Sequence, residues 1–252
     1  KTVLGSDYHV EYAMRYKRPS LKKTLQSWEG KNFRQIIILP LFPHYASATN
    51  GSVIEEAMDV IKKWWVIPEL SFVSQFYNEE FYLKGFEEKG NLHDFKEYDH
   101  ILFSFHGLPE RHVDKVYKDG LCKDNDCEQG INDENVFCYK ATCYETAIQL
   151  AKRFKLKEKD YTVGFQSRLG RGLIEPFSDE IIADLAKKGA KKLLVFSPAF
   201  VADCLETIIE IGDEYQELFE QHGGEKVQLV ESLNSSDTFV HGLKEMILKR
   251  SL

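Results

Sequence analysis

Ile101-Leu-Phe-Ser-Phe-His-Gly-Leu-Pro-Glu-Arg111 is the stretch whose reading decides the fold. An apolar strand ends abruptly at His106, where Gly107 and Pro109 turn the chain into a loop. In an open α/β sheet the chemistry sits at such strand ends, which makes His106 a candidate functional residue. A histidine that merely caps a strand and is satisfied by nearby backbone is the competing reading. A second stretch bears on the choice.

Working outward, short apolar and β-branched runs alternate with longer amphipathic ones, the pattern of parallel strands joined by crossover helices. The pattern predicts strands near 9–15, 35–42, 70–76, 99–105, 161–167, 191–199 and 227–232. It predicts helices near 20–29, 52–65, 79–88, 141–155, 177–188, 203–221 and 236–250. The polar run Glu87 to Lys96 reads as a linker between two βα-rich halves. There is no solenoid-type repeat and no low-complexity tract.

The second stretch runs from Leu193 to Tyr215, a strand that passes through a Pro-containing turn into a helix. Glu206, Glu210 and Glu214 recur there at every fourth position, which on a regular helix aligns three carboxylates on one face. Like charges at that spacing repel, so either solvent and salt screen them or a divalent cation binds them. Flanking Leu205, Ile208 and Ile209 are expected to draw Glu206 toward a buried rim, which favours the cation.

The 252 residues, 43% hydrophobic and 29% charged, suit one large or two ordinary globular domains. No apolar run approaches a membrane span and no signal peptide opens the chain, so the expected location is cytoplasmic. A formal charge of −7 argues against nucleic-acid binding. Residues 1–35 nevertheless carry eight Lys or Arg against three Asp or Glu, either an anion-attracting face or an ordinary solvated one.

The loop Pro40-Leu-Phe-Pro-His-Tyr-Ala-Ser-Ala-Thr-Asn-Gly-Ser52 precedes a helix. Its small hydroxyl residues suit a helix cap, with an anion site at the helix start as the alternative. A Walker or dinucleotide fingerprint is absent, so no nucleotide is implied.

Cys122, Cys127, Cys138 and Cys143 form a C-x4-C-x10-C-x4-C array, and Cys204 stands apart. The polar, loop-forming residues between them could hardly bury a core without a cross-link. Disulfides suit an intracellular chain poorly. Metal–thiolate binding is the better reading, with a 2Fe-2S cluster placed ahead of Zn because the spacing is wider than the usual C-x2-C pairs.

Taken together, Ser104-Phe-His-Gly-Leu-Pro-Glu-Arg111, Gly164-Phe-Gln-Ser-Arg-Leu-Gly170 and Asp203-Cys-Leu-Glu-Thr-Ile-Ile-Glu210 resemble the ferrochelatase family, bacterial type with an internal four-cysteine insertion. Met14-Arg-Tyr-Lys-Arg-Pro-Ser20, Phe42-Pro-His-Tyr-Ala-Ser-Ala-Thr-Asn-Gly-Ser52 and Glu231-Ser-Leu-Asn-Ser-Ser236 extend the resemblance in the family's order. It implies an α/β protein of two doubly wound, Rossmann-like domains with parallel sheets and a porphyrin cleft between them. The expected division is 1–93, then 94–234 with the insertion at 118–143, then a C-terminal helix, 235–252, packing back on the first domain. Family members carry a further N-terminal stretch of roughly one βαβ unit, so the first domain is expected to be incomplete.

The implied activity is insertion of ferrous iron, a substrate, into protoporphyrin IX or a coproporphyrin to make haem. His106 and Glu206 fall on the family's active-site histidine and glutamate, and Glu210 and Glu214 continue its acidic row. Arg15, Phe42, Tyr45 and Ser47 fall in stretches lining the porphyrin cleft or its vestibule. Some members hold a 2Fe-2S cluster on four cysteines, which here would be Cys122, Cys127, Cys138 and Cys143. The stretch Gly170 to Ser178 is a residue shorter than the family's form and lacks its Trp, leaving Leu173 or Ile174 in that role. A hydrophobic product invites peripheral contact with the inner membrane. The alternatives are a cobalt or nickel chelatase of another tetrapyrrole, disfavoured by Cys204 where a second histidine is expected, and a non-catalytic porphyrin- or haem-binding protein.

Overall fold

Parallel pairing builds both sheets of this protein. The computed structural model describes residues 2–168, 170 and 172–252. In chain order the regular elements begin with α1 (Leu21–Gln26), β1 (Gln35–Ile38), α2 (Ser52–Ile61), β2 (Glu69–Phe72) and α3 (Glu80–Gly90). They continue with β3 (His100–His106), α4 (Glu110–Asp114), α5 (Tyr139–Phe154), β4 (Tyr161–Gln166), α6 (Ser178–Lys187) and β5 (Lys192–Phe196). The chain closes with α7 (Leu205–Ile208), α8 (Tyr215–Gln221), β6 (Lys226–Leu229) and α9 (Asp237–Leu248).

β1 and β2 form a two-stranded sheet, while the second sheet has the order β4-β3-β5-β6. Five consecutive residues of β3, Ile101 to Phe105, are buried because helices cover both faces of this sheet. Phe103, Phe105, Leu194 and Phe196 face α3 and α5, whereas Leu102, Leu193 and Val195 face α6 and α8. The alternation follows from the two-residue period of a strand. This sheet has the doubly wound arrangement that the family resemblance implies for each domain, whereas the first sheet has two strands among the described residues.

Strand order locates the site. From β3 the chain crosses through α5 to β4, and from β5 it crosses through α8 to β6 on the opposite side. Adjacent strands whose connections leave in opposite directions open a crevice at their carboxyl ends. His106 ends β3 at that crevice, and the 197–204 loop leaves β5 beside it.

Three expectations need correction. Residues 9–13 form no strand, and Met14 makes only an isolated bridge with Ser20. Strand propensity is expressed only where a partner edge is offered, and among the described residues none pairs there. The polar run 87–96 is no slack tether either. α3 continues to Gly90, where a Cβ would come within 2.5 Å of Phe154 and 2.9 Å of Phe196, and Phe95 packs on Phe154. The third correction is the helix expected over 203–221, which is broken by a five-residue π-turn, Glu210–Glu214, between α7 and α8.

α9 returns across the molecule. Its Gly242 lets it approach α3 so closely that a Cβ would lie 2.0 Å from the Phe81 ring. At its end the Arg250 carbonyl accepts a hydrogen bond from Gln35 of β1 at 2.7 Å. Among the described residues no helix is long and apolar enough to cross a membrane.

Candidate active site

The last peptide of β3 is held from both sides. Gly107 N–H donates to the Gln166 carbonyl at 2.8 Å, and the His106 carbonyl accepts from the Tyr139 hydroxyl at 2.9 Å. Only glycine fits after the histidine, because a Cβ at Gly107 would sit 2.7 Å from the Gln166 oxygen. The His106 ring, half-buried, keeps Nδ1 2.7 Å from the Gly107 carbonyl and packs toward Phe200 of the β5 loop. With Nδ1 as donor, Nε2 is left free for chemistry.

That ring opens on a cavity of about 300 Å³, shared with Leu108, Ser167, Leu173 and, from the first half of the chain, Ala48. The loop after β1 therefore reaches the switch-point crevice. Phe42 and Ser47 of that loop are exposed, and Tyr45 packs edge-on against Phe137. The loop contains a π-turn, Ser47–Gly51, that runs straight into α2 with no side-chain cap, so the expected hydroxyl cap is absent. Asn50 anchors it instead, donating to the Phe42 and Ser74 carbonyls. Arg15 lies against the start of α2, bonded to Ser52 and paired with Glu56 at 3.2 Å. Ile174 is buried while Leu173 faces the cavity. Leu169 and Arg171, which belong to two of the family-like stretches, lie outside the described residues.

The acidic row is not one face. A π-turn takes more residues per turn than an α-helix, so positions four apart no longer align across it. Glu206 lies ahead of the turn on α7. Its carboxyl is held below the usual range, chiefly by a hydrogen bond from the Cys204 thiol, with the nearby His106 adding to the effect. Glu210 turns inward and is clamped by Ser167 N–H at 2.6 Å, Ser167 Oγ at 2.7 Å, Gln166 Nε2 at 3.1 Å and Tyr215 Oη at 3.2 Å. Glu214 is exposed and lines a second cavity, about 360 Å³, with Glu210 and Arg168. Leu205, Ile208 and Ile209 do not bury Glu206; they are 74%, 52% and 41% exposed.

Residue-by-residue reading of the sequence gave no role to Gln166 or Ser167. Gln166, almost wholly buried, accepts from Ser104 and Ser197 and donates to the Glu206 carbonyl at 2.6 Å, tying three strand ends to the acidic segment. Ser167 adopts a left-handed φ of +62°, which aims both its N–H and its hydroxyl at Glu210. Their position at the end of β4 was the available signal.

The insertion brings three of its four cysteines together. Cys122, Cys127 and Cys138 Sγ atoms lie 3.6 to 3.7 Å apart, all buried. Thiol donation from Cys122 and Cys127 pulls Cys138 far below the usual thiol range, as a thiolate ligand requires, while Cys122 is pushed up. Three thiolates on one tetrahedral ion at about 2.3 Å would be spaced about 3.8 Å apart, close to what is seen. A two-iron cluster divides four thiolates between two irons, so three of them cannot all be neighbours on one centre. Cys143, on the second turn of α5, is buried in the core outside the trio, and burial pushes its thiol up. The three thiols form a buried group that could hold a metal ion.

A doubly wound parallel sheet with a histidine and a carboxylate at its switch point defines the class: an α/β protein of the chelatase type. The Bacillus subtilis protein SirB with Fe3+ superposes with a TM-score of 0.61 over 92% of this chain and 78% of that one, at 13% identity. The cobalt complex of the sirohydrochlorin chelatase SirB from Bacillus subtilis subspecies spizizenii gives 0.57 over 93% and 75% of the two chains, also at 13% identity, a likeness of fold alone. The sequence model of the ferrochelatase family matches residues 1–251. A ferrochelatase of Ectopseudomonas mendocina is 42% identical over 93% of this chain and 70% of its own length. One from Coxiella burnetii is 39% identical over 98% and 69%. The chain belongs to the ferrochelatase family, enzymes that insert ferrous iron into a porphyrin to make haem.

Proposed function

We infer that His106 and Glu206 carry out the metal insertion, and the observation that supports this is that the Glu206 carboxylate feels the His106 ring across the β3/β5 switch point, where His106 lines a cavity that also reaches the loop after β1. Metalation removes two pyrrole protons and brings a hydrated cation to ring nitrogens. The free Nε2 of His106 takes the pyrrole protons, and the ionised Glu206 near it attracts iron and strips its water. Glu210 is saturated by four donors, so it orients the acidic segment and does not hand iron inward. Glu214 faces the second cavity and is the outer station for the cation. Arg15, Phe42, Tyr45 and Ser47 form the porphyrin side, with the chain divided near 93/94. Glu206→Gln keeps the shape and removes the charge; its iron-insertion rate is expected to fall about 10²-fold while porphyrin binding, read by fluorescence quenching, holds. An unchanged rate would remove Glu206 from the mechanism.

For the insertion, the sulfur triangle supports a single tetrahedral ion on Cys122, Cys127 and Cys138, zinc by its all-thiolate set, over the 2Fe-2S cluster that the family resemblance implies. Elemental analysis of freshly purified protein is expected to find one metal per chain and no acid-labile sulfide, unaltered in Cys143→Ser. Two irons with two sulfides, lost in that variant, would establish the cluster and reject the single ion.

A further inference from the structure

The cysteine trio sits in the β3–α5 connection, whose two ends are His106 and Tyr139. Cys138 is the N-cap of α5, and Tyr139, the next residue, is the first of the helix. Tyr139 is 7% exposed; its hydroxyl donates to the carbonyl of His106 at 2.9 Å and also meets the Cys143 thiol. That carbonyl and Gly107 N–H belong to one peptide group. The group is therefore gripped by Tyr139 on one edge and by Gln166 on the other. The His106 ring leans on the next carbonyl, at 2.7 Å, so turning this peptide turns the ring.

On its other side the trio is tied to the start of the insertion. Cys122 N–H donates to Asp114 at the end of α4 at 2.9 Å, and the Tyr117 hydroxyl lies 2.9 Å from Cys127 Sγ. Lys140 of α5 reaches back to Glu128 at 2.8 Å. Residues 118–135 contribute only Cys122 and Cys127 as buried apolar side chains, so the meeting of these thiols with Cys138, beside the Lys140–Glu128 pair, holds this loop to the α5 end.

We propose that Tyr139 is a positioning residue through which the cysteine trio sets the orientation of the His106–Gly107 peptide, and with it the His106 ring. The inference rests on His106 acting in metal insertion. It assigns the insertion a mechanical role in catalysis.

The test uses the full-length enzyme as purified, with rates of ferrous iron insertion, metal content and the imidazole resonances of 15N-labelled protein. Tyr139→Phe removes one oxygen from a buried ring and is expected to fold. Its kcat should fall about 10-fold, because small misplacements of a catalytic group are costly, with KM for porphyrin within about twofold. Metal content should stay at the wild-type level while the His106 resonance shifts. Chelator stripping of the wild type should cost a similar factor in kcat and shift the same resonance. In Tyr139→Phe stripping should add little, since both changes cut one linkage.

A wild-type kcat in Tyr139→Phe, beside an inactive His106→Ala, would overturn the positioning role alone. Full additivity of stripping and Tyr139→Phe would overturn the coupling to the trio. An active His106→Ala would instead overturn the site reading on which both depend.

Discussion

Replacing His106 by alanine should lower iron insertion by about 10²- to 10⁴-fold, the usual contribution of a positioned proton acceptor, and leave porphyrin affinity within a few fold. The split follows from where the ring stands. His106 contributes one edge of a cavity that Leu108, Leu173 and Ala48 also line, so the apolar grip on a flat macrocycle survives its removal. What disappears is the free Nε2 at the switch point. The fold should survive too, because the ring is half-buried and its one hydrogen bond is local, to the Gly107 carbonyl. The measurement is steady-state turnover with ferrous iron, set beside fluorescence titration with porphyrin. Loss of binding in step with rate would make His106 a binding residue, and an unchanged rate would remove it from the site.

The second large effect concerns His44 and stability in mild acid. His44 lies wholly inside the protein, its Nε2 2.9 Å from Thr146 Oγ1 and its Nδ1 without a partner among the described residues. Tyr77 and Tyr82 from the first half and Phe105 and Tyr139 from the second surround it, and none of these side chains carries a charge at neutral pH. Burial pushes its pKa down from 6.5 to about 3. The folded protein therefore keeps this imidazole neutral, whereas the unfolded chain takes up a proton below about pH 6.5. Its contribution to stability is complete above that pH and declines as pH falls toward 3. By pH 5 the loss from this one group is about 2 kcal/mol. Denaturant unfolding at pH 7 and pH 5, on the wild type and on His44→Gln, should show the variant losing less stability over that interval by about this amount. Equal losses in the two proteins would place the acid sensitivity elsewhere.

His44 also marks a boundary of sequence reading. Its stretch, Phe42 to Ser52, is family-like, and the residues expected to line the cleft include its neighbours Phe42 and Tyr45. Nothing in the local spacing says that the ring between them points inward to Thr146, 102 positions away. The same holds for Glu210. Its four-residue spacing from Glu206 suggested a partner in cation transfer, yet the π-turn rotated it into the grasp of Ser167, Gln166 and Tyr215. Cys143 shows the limit from another side. A four-cysteine array is visible as letters, but which thiols meet depends on how the loop closes on α5.

The amino-acid order alone determined that this is an α/β protein with parallel strands, that β3 ends at a histidine, and that the motifs follow the ferrochelatase order. Those readings rest on two-residue and 3.6-residue periodicity, on breakers such as Gly107 and Pro109, and on local motif identity, all of them properties of neighbours along the chain. Strand order, which puts β5 and Glu206 beside β3 and His106, was decided only by tertiary structure. So were the clamp on Glu210, the sulfur triangle and the hold of Tyr139 on His106. The reason is that hydrogen bonds and burial act over a few ångströms between residues that the sequence separates by tens of positions, and periodicity carries no record of which distant partner fills a place.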